Sequence, residues 1–148
     1  MRLLKVSSSA FKDGGEIPSE FTCDGLDLSP PLSITDVPKE TTTLSIIMDD
    51  PDAPMGTFTH WLVWNISPNK TQFTKGEEFS SVQGRTSFGA TGYGGPCPPS
   101  GTHRYFFKVY ALDTKLNLNT NSRKENVERT MEGHILAKGE IVGLYRRS

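Results

Sequence analysis

The chain has 148 residues, with sixteen Lys and Arg against seventeen Asp and Glu and a formal charge of −1. That is the size of one domain with a single core, and it lacks the basic excess a general nucleic-acid binder uses to neutralise phosphates. No apolar run approaches the ~18–20 residues of a membrane span, and the first six residues hold no stretch of signal-peptide length, so the expected setting is the cytoplasm, with no membrane insertion and no nucleic-acid partner.

Fourteen glycines and ten prolines suit a turn-rich β protein better than a helical bundle. Leu4 and Val6 suggest a first strand. Three longer segments alternate with period two, the mark of half-buried strands. In 44–50, Leu44, Ile46, Met48 and Asp50 are expected on one face; in 60–66, the shared face is His60, Leu62, Trp64 and Ile66. In 103–112 it is His103, Tyr105, Phe107, Val109 and Ala111. Ser122-Arg123-Lys124-Glu125 is a capping-box pattern, and Val127 and Met131 follow at helical spacing, with Gly133 expected to end the helix. A last strand over 135–146 sets Ile141 and Tyr145 on one side, Val142 and Leu144 on the other. Pattern alone therefore predicts a mainly β, antiparallel β-sandwich with a short helix, in one domain over residues 1–148.

Cys23 and Cys97 are too few for a disulfide scaffold or a four-thiolate zinc site. Two reduced thiols and one disulfide across 74 residues both remain open. Two long loops, 50–59 and 84–102, are rich in Pro and Gly, and long irregular loops in compact domains are usually functional. Each feeds a strand that begins with His. If the strand ends converge, Asp50, His60, His103 and Tyr105 form a cluster suited to an anion: a carboxylate fixes an imidazole, the phenol donates, and Gly-rich backbone offers N–H groups. His134, just past the helix, reads as structural. No G-x-S-x-G elbow, Walker loop or H-E-x-x-H spacing is present, and no cofactor is implied. A metal-assisted hydrolase built on Asp50, His60 and His103 is a chemically allowed alternative.

Asp50-Pro51-Asp52-Ala53-Pro54 followed by His60-Trp61-Leu62-Val63, and the stretch from Gly94-Gly95-Pro96-Cys97-Pro98-Pro99 to His103-Arg104-Tyr105, resemble the two signature regions of the phosphatidylethanolamine-binding proteins, also called Raf kinase inhibitor-like proteins. Phe21-Thr22-Cys23-Asp24-Gly25, Ser29-Pro30-Pro31-Leu32 and Gly133-His134-Ile135-Leu136-Ala137 are similar to the bacterial and archaeal branch. The resemblance implies a large sheet packed on a smaller one, with helix at the edge. It implies a small pocket for phosphate-like groups or phospholipid headgroups, formed by Asp50, Asp52, His60, Pro99, His103 and Tyr105, with Tyr93 on its rim, and a cis bond at Ala53-Pro54. The expected function is non-enzymatic binding of a phosphate-bearing small molecule or headgroup, with a kinase or protease as the modulated partner. Inhibition of serine proteases is the alternative from another class, and a homodimer is among the assemblies left open. Only five residues separate Pro54 from His60, and no long helix follows Tyr145, which departs from the eukaryotic pattern and argues against kinase regulation by that route.

Overall fold

The computed structural model describes residues 2–148; Met1, where the N-terminal reading begins, lies outside the described residues. The elements run β1 (Arg2–Leu3), β2 (Lys5–Ser7), β3 (Gly15–Glu16), β4 (Leu32–Thr35), β5 (Thr43–Asp50), β6 (Phe58–Ile66), β7 (Gln72–Phe73), β8 (Val82–Gln83), β9 (Gly101–Leu112), α1 (Lys124–Met131) and β10 (Ile135–Arg147). A 3-10 turn at Ser19–Phe21 precedes β4. The large sheet has the order β1-β10-β9-β5-β6-β8, with β3 also on β10, and β2-β4-β7 form the smaller sheet. The smaller sheet is antiparallel. The large one is mixed, because the short β1 and β3 both run parallel to β10.

The main core lies on the inner face of the large sheet, where Leu44, Ile46 and Met48 of β5 meet Phe107, Val109 and Ala111 of β9. Leu4, Val6, Leu32 and Ile34 from the first strands and the small sheet belong to the same cluster. A second cluster fills the outer face under α1, joining Ile47, Leu62 and Trp64 to Val127 and Met131. All eight residues of β5 are consequently buried, where alternation predicted a half-buried strand. Helix and small sheet cover opposite faces of the same central strand.

The predicted face of β6 is overturned, and the cause is local. Met48 pairs with Trp61 while Asp49 pairs with Thr59, so His60 is an extra residue opposite the β5 ladder. Such a bulge switches the phase of every side chain beyond it. His60 and Trp61 therefore both face inward, and Leu62 and Trp64 join the cluster under the helix. A second irregularity at Asn65 (φ 59°) returns Ile66 to the inner face. The Asn65 amide holds this conformation by donating to Leu116 O at 2.9 Å and accepting from Leu116 N–H at 2.8 Å.

The helix begins one residue later than the capping-box pattern places it. Arg123 is the N-cap: its N–H donates to Asn126 Oδ1 at 2.8 Å, and Asn126 N–H returns a bond to Arg123 O. Ser122 is committed elsewhere, its N–H bonded to Asn119 O and its carbonyl accepting from Arg85. Gly133 (φ 80°) ends the helix as expected. His134 then pairs with Asp113 at 2.8 Å on the surface, a structural role.

Candidate functional site

Because β5 lies antiparallel between β6 and β9, its C-terminal end stands beside the starts of both neighbours. Topology thus brings Asp50, the last residue of β5, together with His60 and His103. These three and Tyr105 form the polar part of a cavity of about 300 Å³. Its walls are Pro54, Met55 and Phe58 from the first loop and β6, and Phe88, Cys97, Pro98 and Pro99 from the second loop.

Asp50 is buried, and both its oxygens are used. Oδ2 accepts from His103 Nδ1–H at 2.6 Å, and Oδ1 accepts from Asp52 N–H at 2.8 Å. The ion-pair geometry answers the desolvation cost of a carboxylate at the end of an apolar strand face. It also fixes the His103 ring, leaving Nε2 as its unspent nitrogen. His60 has Nδ1 2.7 Å from Gly94 O, and since a carbonyl only accepts, Nδ1 carries the proton and Nε2 is again left over. Burial holds the His60 imidazole below its ordinary pKa, against the opposing pull of the Gly94 carbonyl and the Asp50 charge. The Tyr105 ring lies edge-on to His60 at 5.2 Å, and its fully buried hydroxyl lies near the Cys97 backbone and the Asp50 carboxylate without a well-formed hydrogen bond to either. Burial, and then the Asp50 charge, push that phenol well above its usual 10, so it is a neutral donor at any physiological pH.

Two of the expected residues do not line the cavity. Asp52 turns outward and is gripped by Arg104, whose Nε and terminal nitrogen each donate at 2.9 Å, with the Arg104 backbone N–H adding a third bond. This clamp lowers the carboxyl from 3.8 to about 2. The folded-state value lies below the unfolded one, so the contribution is present above pH 3.8 and fades as pH falls toward 2. Tyr93 is likewise no rim residue. Its hydroxyl donates to Phe21 O at 2.7 Å, and its ring packs edge-on against Trp61 in a separate depression. The Tyr93 phenol is pulled into the core side of the loop, and burial raises its pKa well above the usual value.

The cis bond expected at Ala53-Pro54 is also absent; no cis peptide occurs among the described residues. Gly56 N–H reaches Ala53 O at 3.2 Å, which places Pro54 at the second position of a four-residue turn, where a trans proline fits. Of the three residues of the alternative metal centre, Asp50 and His103 are bonded to each other and His60 Nδ1 to the Gly94 carbonyl. Among the described residues no group of three or more such side chains is placed to hold an ion.

The second loop is fixed from behind. Cys23 and Cys97 form a disulfide, which resolves the two options left by the sequence and ties the cavity wall to the turn after Phe21. Cys23 N–H also bonds Pro96 O, and Gly95 N–H bonds Asp27 Oδ1 at 2.8 Å. Gly95 has no room for a side chain, because a Cβ there would strike Phe21 O, Asp27 Oδ1 and the Thr22 backbone. Gly95→Ala should lower stability by about 1–3 kcal/mol, the usual cost of overpacking, as read by urea denaturation; an unchanged midpoint would show that the wall is not so tightly seated.

Sequence reasoning missed Phe58 and Phe88. Their rings meet edge-on at 4.7 Å, and both contact His60, at 5.0 and 5.2 Å between centroids. Phe58 was open to discovery, since it stands two residues before His60 on one face. Phe88 sits in irregular loop and left no periodic signal.

The family model for phosphatidylethanolamine-binding protein matches residues 7–146. A UPF0098 protein of Methanothermobacter thermautotrophicus is 49% identical, with 97% of this chain and 99% of that protein covered. A UPF0098 protein of Archaeoglobus fulgidus is 53% identical over 95% of this chain, which spans only 50% of that protein's length. Among solved structures, a phosphatidylethanolamine-binding protein homologue from Chlamydia trachomatis superposes with a TM-score of 0.95 at 39% identity, covering all of both chains. YbcL of Escherichia coli gives 0.91 at 33% identity, with 98% and 99% covered. The chain belongs to the phosphatidylethanolamine-binding protein family, and specifically resembles its bacterial and archaeal members. Among the described residues no helix is long and apolar enough to cross a membrane.

Proposed function

We propose that this protein is a non-enzymatic binding module whose cavity holds the phosphate group of a small molecule or of a phospholipid headgroup. The observation that carries the reading is the Tyr105 hydroxyl, buried without a well-formed hydrogen bond in the same cavity as two imidazoles whose Nδ1 atoms are both spent. An unpaired buried hydroxyl costs free energy, and a phosphate oxygen against it would recover that cost. His60 Nε2 and His103 Nε2 supply the two remaining contacts, as donors when protonated and as acceptors from a P–OH when neutral.

Both routes lose strength as pH rises. Free histidine titrates near ~6.5 and burial holds His60 lower, while a phosphate ester sheds its second proton near pH ~6. Affinity for methyl phosphate should therefore weaken between pH 6 and pH 8, and His103→Ala should bind more weakly throughout. Calorimetry that finds pH-independent binding, unaltered in His103→Ala, would remove the reading. Modulation of a partner enzyme, a kinase or a serine protease, would use the face around this cavity, where the disulfide-held loop is preorganised and binding has less ordering to offset. Titrating chymotrypsin-like and subtilisin-like proteases with the pure protein tests that extension, and no inhibition at micromolar levels would discard it for proteases.

A further inference from the structure

The Cys23–Cys97 bond does not sit where a buried structural cross-link would. Both cysteines are exposed, although Pro96 and Pro98 on either side of Cys97 are buried, so the backbone is seated while the cysteine between them stays open to solvent. Exposed disulfides are the labile, regulatory or catalytic ones. The two sulfurs also differ. Arg147, the last residue of β10, has Nη1 3.6 Å from Cys97 Sγ, and its Nη2 is held by Asp24 Oδ1 at 3.2 Å. Asp24 is fixed in turn, since its Oδ2 accepts from Tyr145 O–H at 2.6 Å. Cys97 therefore has a guanidinium beside it, whereas Cys23 has a carboxylate as its next residue in the chain. The other charged groups of this wall are committed: Asp27 Oδ1 to Gly95 N–H, and Asp50 to His103 and the Asp52 N–H across the cavity. A cation next to a sulfur favours its thiolate and makes it the better leaving group.

From this asymmetry we infer that the bond is a thiol–disulfide exchange site for a dithiol reductant, opened at Cys23 with Cys97 as the leaving sulfur and Arg147 as its positioning residue. A thiolate of the reductant attacks Cys23 Sγ and forms a mixed disulfide there. The bond to Cys97 breaks, and its electron pair leaves on Cys97 as a thiolate beside Arg147. The reductant's second thiol, once ionised, attacks its own partner sulfur and closes the reductant's disulfide. Cys23 departs as a thiolate and takes up a proton. Two electrons have passed from dithiol to protein, and of the reductant's two thiol protons one ends on Cys23 and one in water. Leu26, 76% exposed on the same turn as Cys23, gives a protein reductant an apolar contact. The wall survives the exchange, because the bonds from Gly95 to Asp27, Cys23 N–H to Pro96 O and Tyr93 O–H to Phe21 O remain. What changes is that Cys97, a lining residue of the cavity, becomes a negatively charged nucleophile.

Reaction of the full chain with glutathione, stopped with N-ethylmaleimide and read by peptide mass spectrometry, tests the direction. Glutathione attaches to the sulfur attacked, and the maleimide caps the one that leaves. Glutathione on Cys23 with maleimide on Cys97 should exceed the reverse product by about fivefold or more. Arg147→Gln should bring the two products to within about twofold, and Arg147→Lys should restore most of the bias. The partition reads the difference between the sulfurs, since a mere loosening of the loop would speed both attacks without shifting it. Equal products in the wild type, or a bias that Arg147→Gln leaves intact, would overturn the assignment. So would a bond that dithiothreitol opens only in urea, which would make the cross-link purely structural.

Discussion

Asp50→Asn should fold, lose roughly 1–3 kcal/mol of stability, and bind methyl phosphate at least about tenfold more weakly at pH 6, equivalent to ~1.4 kcal/mol. The carboxylate accepts two bonds at once, from His103 Nδ1–H and from Asp52 N–H, and it is buried. An amide of the same shape can accept one of them and must present its NH₂ to the other. It also removes the negative charge that His103 Nδ1–H faces at 2.6 Å. The ring can then switch tautomer, with Nδ1 accepting from the amide and Nε2–H pointing into the cavity. Phosphate would then meet a ring no longer anchored by a carboxylate. Wild-type affinity with reduced stability would mean that Asp50 only braces the loop. Unchanged binding and unchanged stability would place the ligand site elsewhere.

Breaking the Cys23–Cys97 bond should have the largest effect on stability. It closes a separation of 74 residues, and cross-links of that span typically contribute about 2–4 kcal/mol by restricting the unfolded chain. The double variant Cys23→Ser, Cys97→Ser should melt roughly 5–15 °C lower, given the few degrees per kcal/mol usual for domains of this size. Ligand affinity should fall much less. The bonds from Gly95 to Asp27, from Cys23 N–H to Pro96 and from Tyr93 to Phe21 remain to seat the wall. Scanning calorimetry with and without reductant checks the first part. A melting temperature indifferent to both reductant and substitution would mean that the bond does not form in solution.

The strand most legible in the sequence is β9, where His103, Tyr105, Phe107, Val109 and Ala111 share the inner face as alternation predicts. It pairs with β10 without interruption over that stretch, and with β5 from Phe106 onward. The face of β6 was not legible, because the sequence shows no residue marking the bulge at His60; only the β5 register reveals it. That same bulge is what lets His60 and Trp61 both face inward, so the site's geometry depends on a feature that periodicity hides. Asp50, His60, Pro99, His103 and Tyr105 were readable as a set because each lies at a strand end or in a Pro-rich loop that the motifs mark. Asp52 and Tyr93 sit in those motifs too, but their side chains find better partners in Arg104 and Phe21 than in the cavity. Phe88 makes the converse case: its place beside His60 is set by the fold of an irregular loop, and no local pattern encodes it.

On the proposed reading, one cavity floored by Asp50, His60, His103 and Tyr105 receives a phosphate group. Nitrogen-15 spectra of the histidine side chains, recorded at pH 6 while methyl phosphate is added, test it most directly. His60 and His103 line the cavity, each with Nδ1 already committed, whereas His134 is paired with Asp113 on the surface and lines no part of it. Saturable shifts are expected at Nε2 of His60 and His103 with a common dissociation constant, and His134 should stay stationary. Movement of His134 alone, or no movement of either cavity histidine at saturating methyl phosphate, would contradict it.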